Sequence, residues 1–434
     1  MTYPVRRSVA FALLGSISLV GARSIWITAG GYLAIAAGAA LLRDGPMFQL
    51  LSTPADEREG RLRTAVALSL AAAAIATLVE VLGIPVAVFV ATLLTVTYGD
   101  LGNRLARTAH DRNFWGTAGF VIVGALAAFL GQLAVGVIQG SVAASMLPEF
   151  LFLGTSAAVL GALLRSVLYQ RSDPLVLGGI VLLLWLFADL AVAVGWLQIV
   201  IAIFVSFGFG YASYALETAS IPGMLTGVFL SLLALVLGGY GWFAVLMAFF
   251  VVGGLATKYR YEDKMERGIA EANRGARGTE NVLGNSLTAL AALLLFAAHS
   301  RIPLSGQLFV LAYAGSVATA LADTLSSEIG GLFDRPRLIT SLEPVEPGTD
   351  GAVTWQGEIA GLVGASIIAF LSLLLLPAGT IGFVIIVVSG MVGLTADSLA
   401  GATLEGDRLG NQGVNLIATA VGGLSGAILA GIVL

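Results

Sequence analysis

The sequence predicts an all-α protein: a polytopic transmembrane helical bundle of about fifteen spans in two helical domains. Three observations lead there. Of 434 residues, 58% are hydrophobic and 11% charged, with a mean hydropathy of +0.94, whereas soluble domains carry about 25% charged residues. Apolar runs near the roughly 20 residues needed to cross hydrocarbon follow one another along the whole chain. Arg and Lys gather in a subset of the connections between those runs, as membrane orientation requires.

In chain order, the first runs are 8–22 and 24–42, preceded by Arg6 and Arg7, and a polar connection over 43–63 follows with Arg43, Arg58, Arg61 and Arg63. The first run is similar to a signal peptide, but further spans follow at once and no cleavage site is evident. The stretch Asp56–Arg61 reads as a solvated loop. Runs at 63–81, 83–99, 114–138, 147–165 and 174–190 complete a first domain, residues 1–190. Residues 191–434 form the second, with runs at 192–216, 219–238, 240–257, 281–299, 304–328, 355–377, 379–400 and 411–433. Each run is expected to be helical, because an open sheet edge has no hydrogen-bond partners in lipid.

The basic clusters at 43–63, 104–112, 165–171, 258–277 and 335–337 all fall on one side of that arrangement, while 139–148, 217–220 and 377–380 carry no basic residue. That side is expected to be cytoplasmic, with the N-terminus inside and the protein integral to the cytoplasmic (cell) membrane. The chain has no cysteine, which excludes disulfides and thiolate metal sites, and its net charge of −4 gives no argument for a nucleic-acid partner.

Polar chemistry concentrates in the second domain. Two aspartates share a local pattern after long apolar runs, Ala322-Asp323-Thr324-Leu325 and Ala396-Asp397-Ser398-Leu399, and Glu328 follows the first. A carboxylate at bilayer depth costs roughly 2.5–3.5 kcal/mol on insertion scales, so it needs a cation, a base or water as partner. The chain's two lysines, Lys258 and Lys264, lie in one connection, which continues through Arg274-Gly275-Ala276-Arg277-Gly278 to Asn281 and Asn285. Glycines beside arginines at a helix start suit an anion, and the i,i+4 spacing puts both asparagines on one helix face. The same residues also suit an ordinary positive-inside loop running into a capped helix.

Asp323 and Ser327 are likewise i,i+4; Gly348-Thr349-Asp350-Gly351 makes a turn before the next run; Asn411 and Asn415 open the last. Carboxylates at helix ends, a basic loop and glycine turns on one membrane face are what Mg²⁺–nucleotide chemistry requires. Each acid taken singly also suits an interfacial cap or a helix-packing partner. An ion-coupled secondary transporter is the competing class, since repeated acidic sites in Gly-interrupted helices describe carriers too.

Residues from about 195 to 434 resemble the integral membrane family that includes plant phytyl-phosphate kinase. The resemblance lies in Ala256-Thr257-Lys258-Tyr259, Gly275–Gly278 running into Asn281 and Asn285, Ala322–Gly330, Gly348–Gly351, Asp397–Ala402, and Asn411 to Asn415. It implies phosphoryl transfer from a nucleoside triphosphate, CTP or ATP, to an isoprenyl monophosphate. On that reading Asp323, Glu328 and Asp397 hold Mg²⁺, with Lys258, Arg277, Asp323 and Asp397 as the catalytic set. Lys264, Arg274, Asn281, Asn285, Thr349, Asp350, Asn411 and Asn415 bind substrate. The first domain resembles, with departures, the dolichol kinase and phosphatidate cytidylyltransferase group: Tyr98-Gly99-Asp100-Leu101 is similar to its acidic motif, but Trp115 and Arg165 stand where acids are usual. This domain is expected to scaffold or to shape a lipid cavity.

Overall fold

The computed structural model describes residues 3–110, 113–168, 173–270, 277–406 and 409–434. Among these residues fourteen helices are long and apolar enough to cross a membrane. The number rises to fifteen when the pair Ile25–Leu41 and Gly45–Leu51, bent by 111°, is counted as one broken span. The predicted helical class and span number therefore hold. The chain divides into two compact units, Met1–Val200 and Ile201–Leu434, with the boundary inside a helix.

Unit 1 contains α1 (Tyr3–Ser16), α2 (Ile25–Leu41), α3 (Gly45–Leu51), α4 (Pro54–Glu59), α5 (Arg63–Leu82), α6 (Val86–Ala109), α7 (Asn113–Gln139), α8 (Leu147–Val167) and α9 (Asp173–Leu190). Helix α6 forms its centre, packing on α1, α7, α8 and α9 and burying Val88 through Val96. Small residues permit the close approach to α7: a methyl group on Gly102 would lie 2.2 Å from the Gly119 carbonyl oxygen.

The expected solvated loop at 56–61 is instead the end of a short capped helix and the turn that follows it. Asp56 is fully buried and forms a capping box with Thr53, accepting from the Thr53 amide at 3.0 Å and its hydroxyl at 2.8 Å, while the Asp56 amide donates back to Thr53 Oγ1. Its other oxygen accepts from the Thr64 amide at 3.3 Å, so one carboxylate caps both α4 and α5. Thr53-Pro54-Ala55-Asp56 carries this signal locally, with Pro at the first helical position.

The boundary helix α10 (Trp196–Ala215) leads into α11 (Ile221–Leu233), α12 (Tyr240–Lys258), α13 (Tyr261–Glu266), α14 (Thr279–Ala297), α15 (Gly306–Gly330), α16 (Trp355–Leu375), α17 (Gly379–Leu404) and α18 (Asn411–Val433). Unit 2 is built around α15, which packs on α12, α14, α16, α17 and α18. Glycines on the neighbours let their backbones reach it: a methyl group on Gly426 would lie 2.4 Å from the Leu311 carbonyl oxygen, and one on Gly393 2.2 Å from Thr319 Oγ1. Lipid offers little drive for helix association, so such close packing carries much of it. Between α15 and α16 a two-residue antiparallel ladder, β1 (Arg337–Leu338) with β2 (Ala352–Val353), closes an extramembrane hairpin.

Candidate functional site

Helix α15 runs in the same direction as α17, two crossings later, and Asp323 and Asp397 each lie seven residues before the last residue of their helix, Gly330 and Leu404. That offset corresponds to about 10 Å along a helix axis. The two carboxyl groups lie within interaction range of each other, and Asp397 Oδ1 is buried without a hydrogen-bond partner among the described residues. They face a cavity of about 360 Å³ at the C-terminal ends of α15 and α17.

Around this pair the structure gathers most of the residues singled out from the sequence: Arg277, Asn281, Asn285, Glu328, Thr349, Asp350, Asn411 and Asn415 all line the same cavity. Asn281 and Asn285 come from the first turns of α14, where Asn285 Nδ2 donates to the Asn281 carbonyl at 3.0 Å. Asn411 and Asn415 come from the first turns of α18. One wall is the hairpin after α15. There Thr349 closes a turn, its amide and hydroxyl both donating to the Glu346 carbonyl, at 3.2 and 2.7 Å. Gly351 adopts φ +73°, and a methyl group there would fall 2.5 Å from the Ser398 carbonyl oxygen. Glycine is therefore what lets the hairpin backbone lie on α17 beside Asp397.

Arg277 brings a guanidinium to the cavity. Its backbone is pinned by short parallel pairing, with its amide donating to Thr218 O at 2.9 Å and its carbonyl accepting from Ser220 N at 3.1 Å. Its guanidinium lies over the Phe249 ring, 4.9 Å from the centroid, on a cation–π contact. The chain must approach closely here, since a methyl group on Gly223 would meet the Arg277 carbonyl oxygen at 2.1 Å.

Three expected ligands are placed differently. Glu328, expected on a metal with the two aspartates, lines the cavity, but its Oε2 receives the Lys264 ammonium at 2.5 Å. Lys264, expected on substrate, is only 1% exposed; it also donates to the carbonyls of Ala256 at 2.8 Å and Thr257 at 3.3 Å, capping the C-terminal end of α12. Among the described residues its link to the cavity is Glu328. Lys258, expected as a catalytic cation, is exposed and outside the cavity lining, where its ammonium caps α10 by donating to the Leu216 carbonyl at 2.8 Å. A lysine near a helix C-terminus finds unpaired carbonyls within reach, and both lysines are used in this way. Arg274 lies outside the described residues.

Glu405, just past α17, was not assigned a role from the sequence and also lines the cavity. Burial raises its carboxyl above the ordinary range, and the nearby Asp350 and Asp397 raise it further. Its position eight residues after Asp397, at a helix end, was the available signal. Among the described residues the lining thus carries five carboxylates, Asp323, Glu328, Asp350, Asp397 and Glu405, against one guanidinium. With Glu328 neutralised by Lys264, the remaining negative charge repels an anion unless a cation enters with it.

No group of three or more His, Cys, Asp or Glu side chains among the described residues forms a ready-made metal cage. Mg²⁺ does not need one: it is commonly held by one or two carboxylates together with substrate phosphate oxygens and water. The pair Asp323 and Asp397, with one buried oxygen unpaired, fits that mode. Glu328, the third carboxylate expected on the metal, lines the same cavity and is paired with Lys264.

Fold and cavity together define a polytopic α-helical membrane protein with an acidic, oxygen-rich site where helix ends meet an extramembrane hairpin. The profile described as "Integral membrane protein DUF92" matches residues 204–423, and the chain belongs to that family. The matched stretch contains every residue that lines the cavity. The chain is 37% identical over 210 residues to the "Uncharacterized membrane protein MJ0933" of Methanocaldococcus jannaschii, covering 48% of this chain and 84% of that protein. It is 38% identical over 191 residues to the "Uncharacterized membrane protein sll0875" of Synechocystis, covering 42% and 72%. Against "Protein VTE6, chloroplastic" of Arabidopsis thaliana it is 30% identical over 195 residues, covering 43% of this chain and 57% of that one. No solved structure matches the chain.

Proposed function

We propose that unit 2 is an integral membrane kinase that transfers a phosphoryl group from a nucleoside triphosphate, CTP or ATP, to an isoprenyl monophosphate, phytyl or geranylgeranyl, giving the diphosphate. The observation that carries this reading is the paired, partly unsatisfied carboxylate of Asp323 and Asp397 facing a polar cavity that also holds Arg277. Kinship with the chloroplast relative supports a kinase-like role in isoprenoid metabolism. The position of the site at helix ends supports an amphiphilic acceptor, whose tail stays in hydrocarbon while its phosphate reaches the cavity.

Phosphoryl transfer asks a protein mainly for positioning and charge neutralisation. An acceptor phosphate oxygen attacks the γ-phosphorus, the bond to the β,γ-bridging oxygen breaks, and the nucleoside diphosphate leaves with that electron pair. Asp323 and Asp397 would hold Mg²⁺, which when bound screens the phosphates from the carboxylates and neutralises charge on the transferred group. Arg277, held by Phe249 and by its pinned backbone, binds phosphate oxygens. Asn281, Asn285, Asn411 and Asn415 offer amide donors and acceptors to the phosphates, and the Thr349–Asp350 turn closes over nucleotide or acceptor. The acceptor is already ionised, so no general base is required. In this reading the N-terminus and the site loops face the cytoplasm of a cell membrane, where nucleotide is available.

The test uses purified protein in detergent with labelled CTP or ATP, Mg²⁺ and geranylgeranyl or phytyl monophosphate. Diphosphate should form with wild type and fall by about 100-fold or more with Asp323→Asn or Asp397→Asn. Ion-coupled solute uptake by proteoliposomes, with no transfer product, would assign the site to a secondary transporter instead.

A further inference from the structure

The cavity of unit 2 carries a second chemistry in its wall, one that neither a metal ion nor a phosphate uses. Asp323 and Asp397 lie seven residues before the last residues of their helices, about 10 Å deep along the axis. Beyond those helix ends the lining becomes apolar in places: Ile269, just after α13, and Phe333, Pro336 and Pro347 of the hairpin all belong to it. Acidic and apolar parts share one cavity.

The chain holds three of these four residues in place. Pro336 is buried, and its carbonyl accepts from the Val345 amide at 3.0 Å, joining the two limbs of the hairpin. Pro347 lies inside the turn that the Thr349 amide closes on the Glu346 carbonyl, with Gly348 after it at φ +84°. Ile269 bridges the limbs: a methyl group on Gly331 would lie 2.7 Å from its Cδ1, and one on Gly348 2.9 Å from its Cγ2. Phe333 differs. Its amide donates to the Gly330 carbonyl at 3.0 Å, which fixes its backbone at the end of α15. Its side chain is nevertheless 39% exposed and makes no aromatic or cation–π contact among the described residues.

The position of this ring selects its occupant. An isoprenyl acceptor keeps its apolar part in hydrocarbon, whereas Phe333 stands on the extramembrane hairpin, past the end of α15. A donor nucleotide arrives from water and has the opposite layout, with phosphates for the deep polar end and a planar ring at its other end. Any base offers a π-face to an aromatic side chain.

We propose that Phe333 is the stacking platform for the nucleobase of the phosphoryl donor, with Ile269, Pro336 and Pro347 shaping the apolar slot around it. The inference rests on the reading of this cavity as a nucleotide-dependent kinase and adds to it where the base sits.

The test is equilibrium binding to the full-length protein in nanodiscs with Mg²⁺ present. Labelled CTP, labelled ATP, inorganic triphosphate and geranylgeranyl monophosphate are separate probes. Phe333→Leu keeps apolar volume and removes the aromatic face. It should weaken both nucleotides by about tenfold, while inorganic triphosphate and geranylgeranyl monophosphate bind as they do to wild type. Phe333→Trp should bind the nucleotides at least as tightly as wild type. Equal nucleotide affinity for wild type and Phe333→Leu overturns the proposal and leaves the kinase reading standing. So do nucleotides that bind wild type no tighter than inorganic triphosphate does. A parallel loss of inorganic triphosphate in Phe333→Leu overturns it as a general distortion of the cavity, and a loss confined to geranylgeranyl monophosphate gives the ring to the acceptor instead. Wild type that binds neither nucleotide nor inorganic triphosphate removes the kinase reading and this inference together.

Discussion

Replacing Lys264 by methionine should be among the most damaging single changes in unit 2, and the structure says why. The ammonium satisfies Glu328 Oε2 at 2.5 Å and the Ala256 and Thr257 carbonyls at 2.8 and 3.3 Å, in a place where the two side chains are 1% and 8% exposed. Methionine fills the same volume but leaves a buried carboxylate without its cation and the end of α12 without its cap. Removing one partner of a buried pair costs about 3–5 kcal/mol, most of it the desolvation of the charge left behind. Removing that charge as well, in Lys264→Met with Glu328→Gln, should restore most of the loss, so the double-mutant cycle should show a coupling of about 2–3 kcal/mol. Reversible unfolding in mixed detergent micelles, followed by circular dichroism, reads all four corners of the cycle. A single-variant cost below about 1 kcal/mol, or additive effects, would refute the buried-pair reasoning. The same set separates the two roles of acids in the cavity: Glu328→Gln should lower stability more than Mg²⁺ affinity, and Asp323→Asn the reverse.

The remaining predictions concern turns and termini. Gly351→Ala should destabilise unit 2 by about 1–3 kcal/mol in the same unfolding assay, because positive φ and the Ser398 carbonyl oxygen at 2.5 Å both oppose a side chain; Gly406→Ala, also at positive φ but with open space around it, should cost about 1 kcal/mol or less. Glu405 is raised in the folded protein by burial and then by Asp350 and Asp397, so its ionisation costs stability as pH climbs from the unfolded value through the folded one. Glu405→Gln should therefore raise the melting temperature near about pH 8 and lose that advantage in acid. A melting curve that shifts in the opposite sense would remove Glu405 from the acidic cluster. Burial works to raise Asp56, but hydrogen bonds from Thr53 and Thr64 outweigh it and hold the carboxyl below its ordinary range. Its stabilisation is present above the unfolded value and lost as pH falls through the folded one. Asp56→Ala should therefore cost about 1–2 kcal/mol near neutral pH, with the gap to wild type narrowing in acid.

Several features of the site could be read directly from the chain. The two Ala-Asp-Ser/Thr-Leu segments end helices of the same direction, and the i,i+4 pairs Asn281/Asn285 and Asn411/Asn415 do open helices and line one cavity. These are local facts, since helix periodicity alone decides which residues share a face. The partners of Lys264 and Lys258 were not legible: Lys264 meets a carboxylate 64 residues away, and Lys258 a carbonyl 42 residues before it. A positive-inside loop announces its charge but not where each charge goes. The Asp56 capping box is written locally in Thr53-Pro54-Ala55-Asp56, but the acidic and basic residues around it match a solvated loop equally well.

Composition and the order of apolar runs by themselves determined that this is a helical, many-span membrane protein, because in hydrocarbon each span must satisfy its own backbone hydrogen bonds and needs a length set by the bilayer. Only the tertiary structure decided which charges pair, leaving an acidic cavity around Asp323 and Asp397 in one unit and closing Arg165 on Asp100 and Asp173 in the other. Pairing depends on distances between side chains far apart in sequence, and those distances exist only once glycine-rich helix faces have packed.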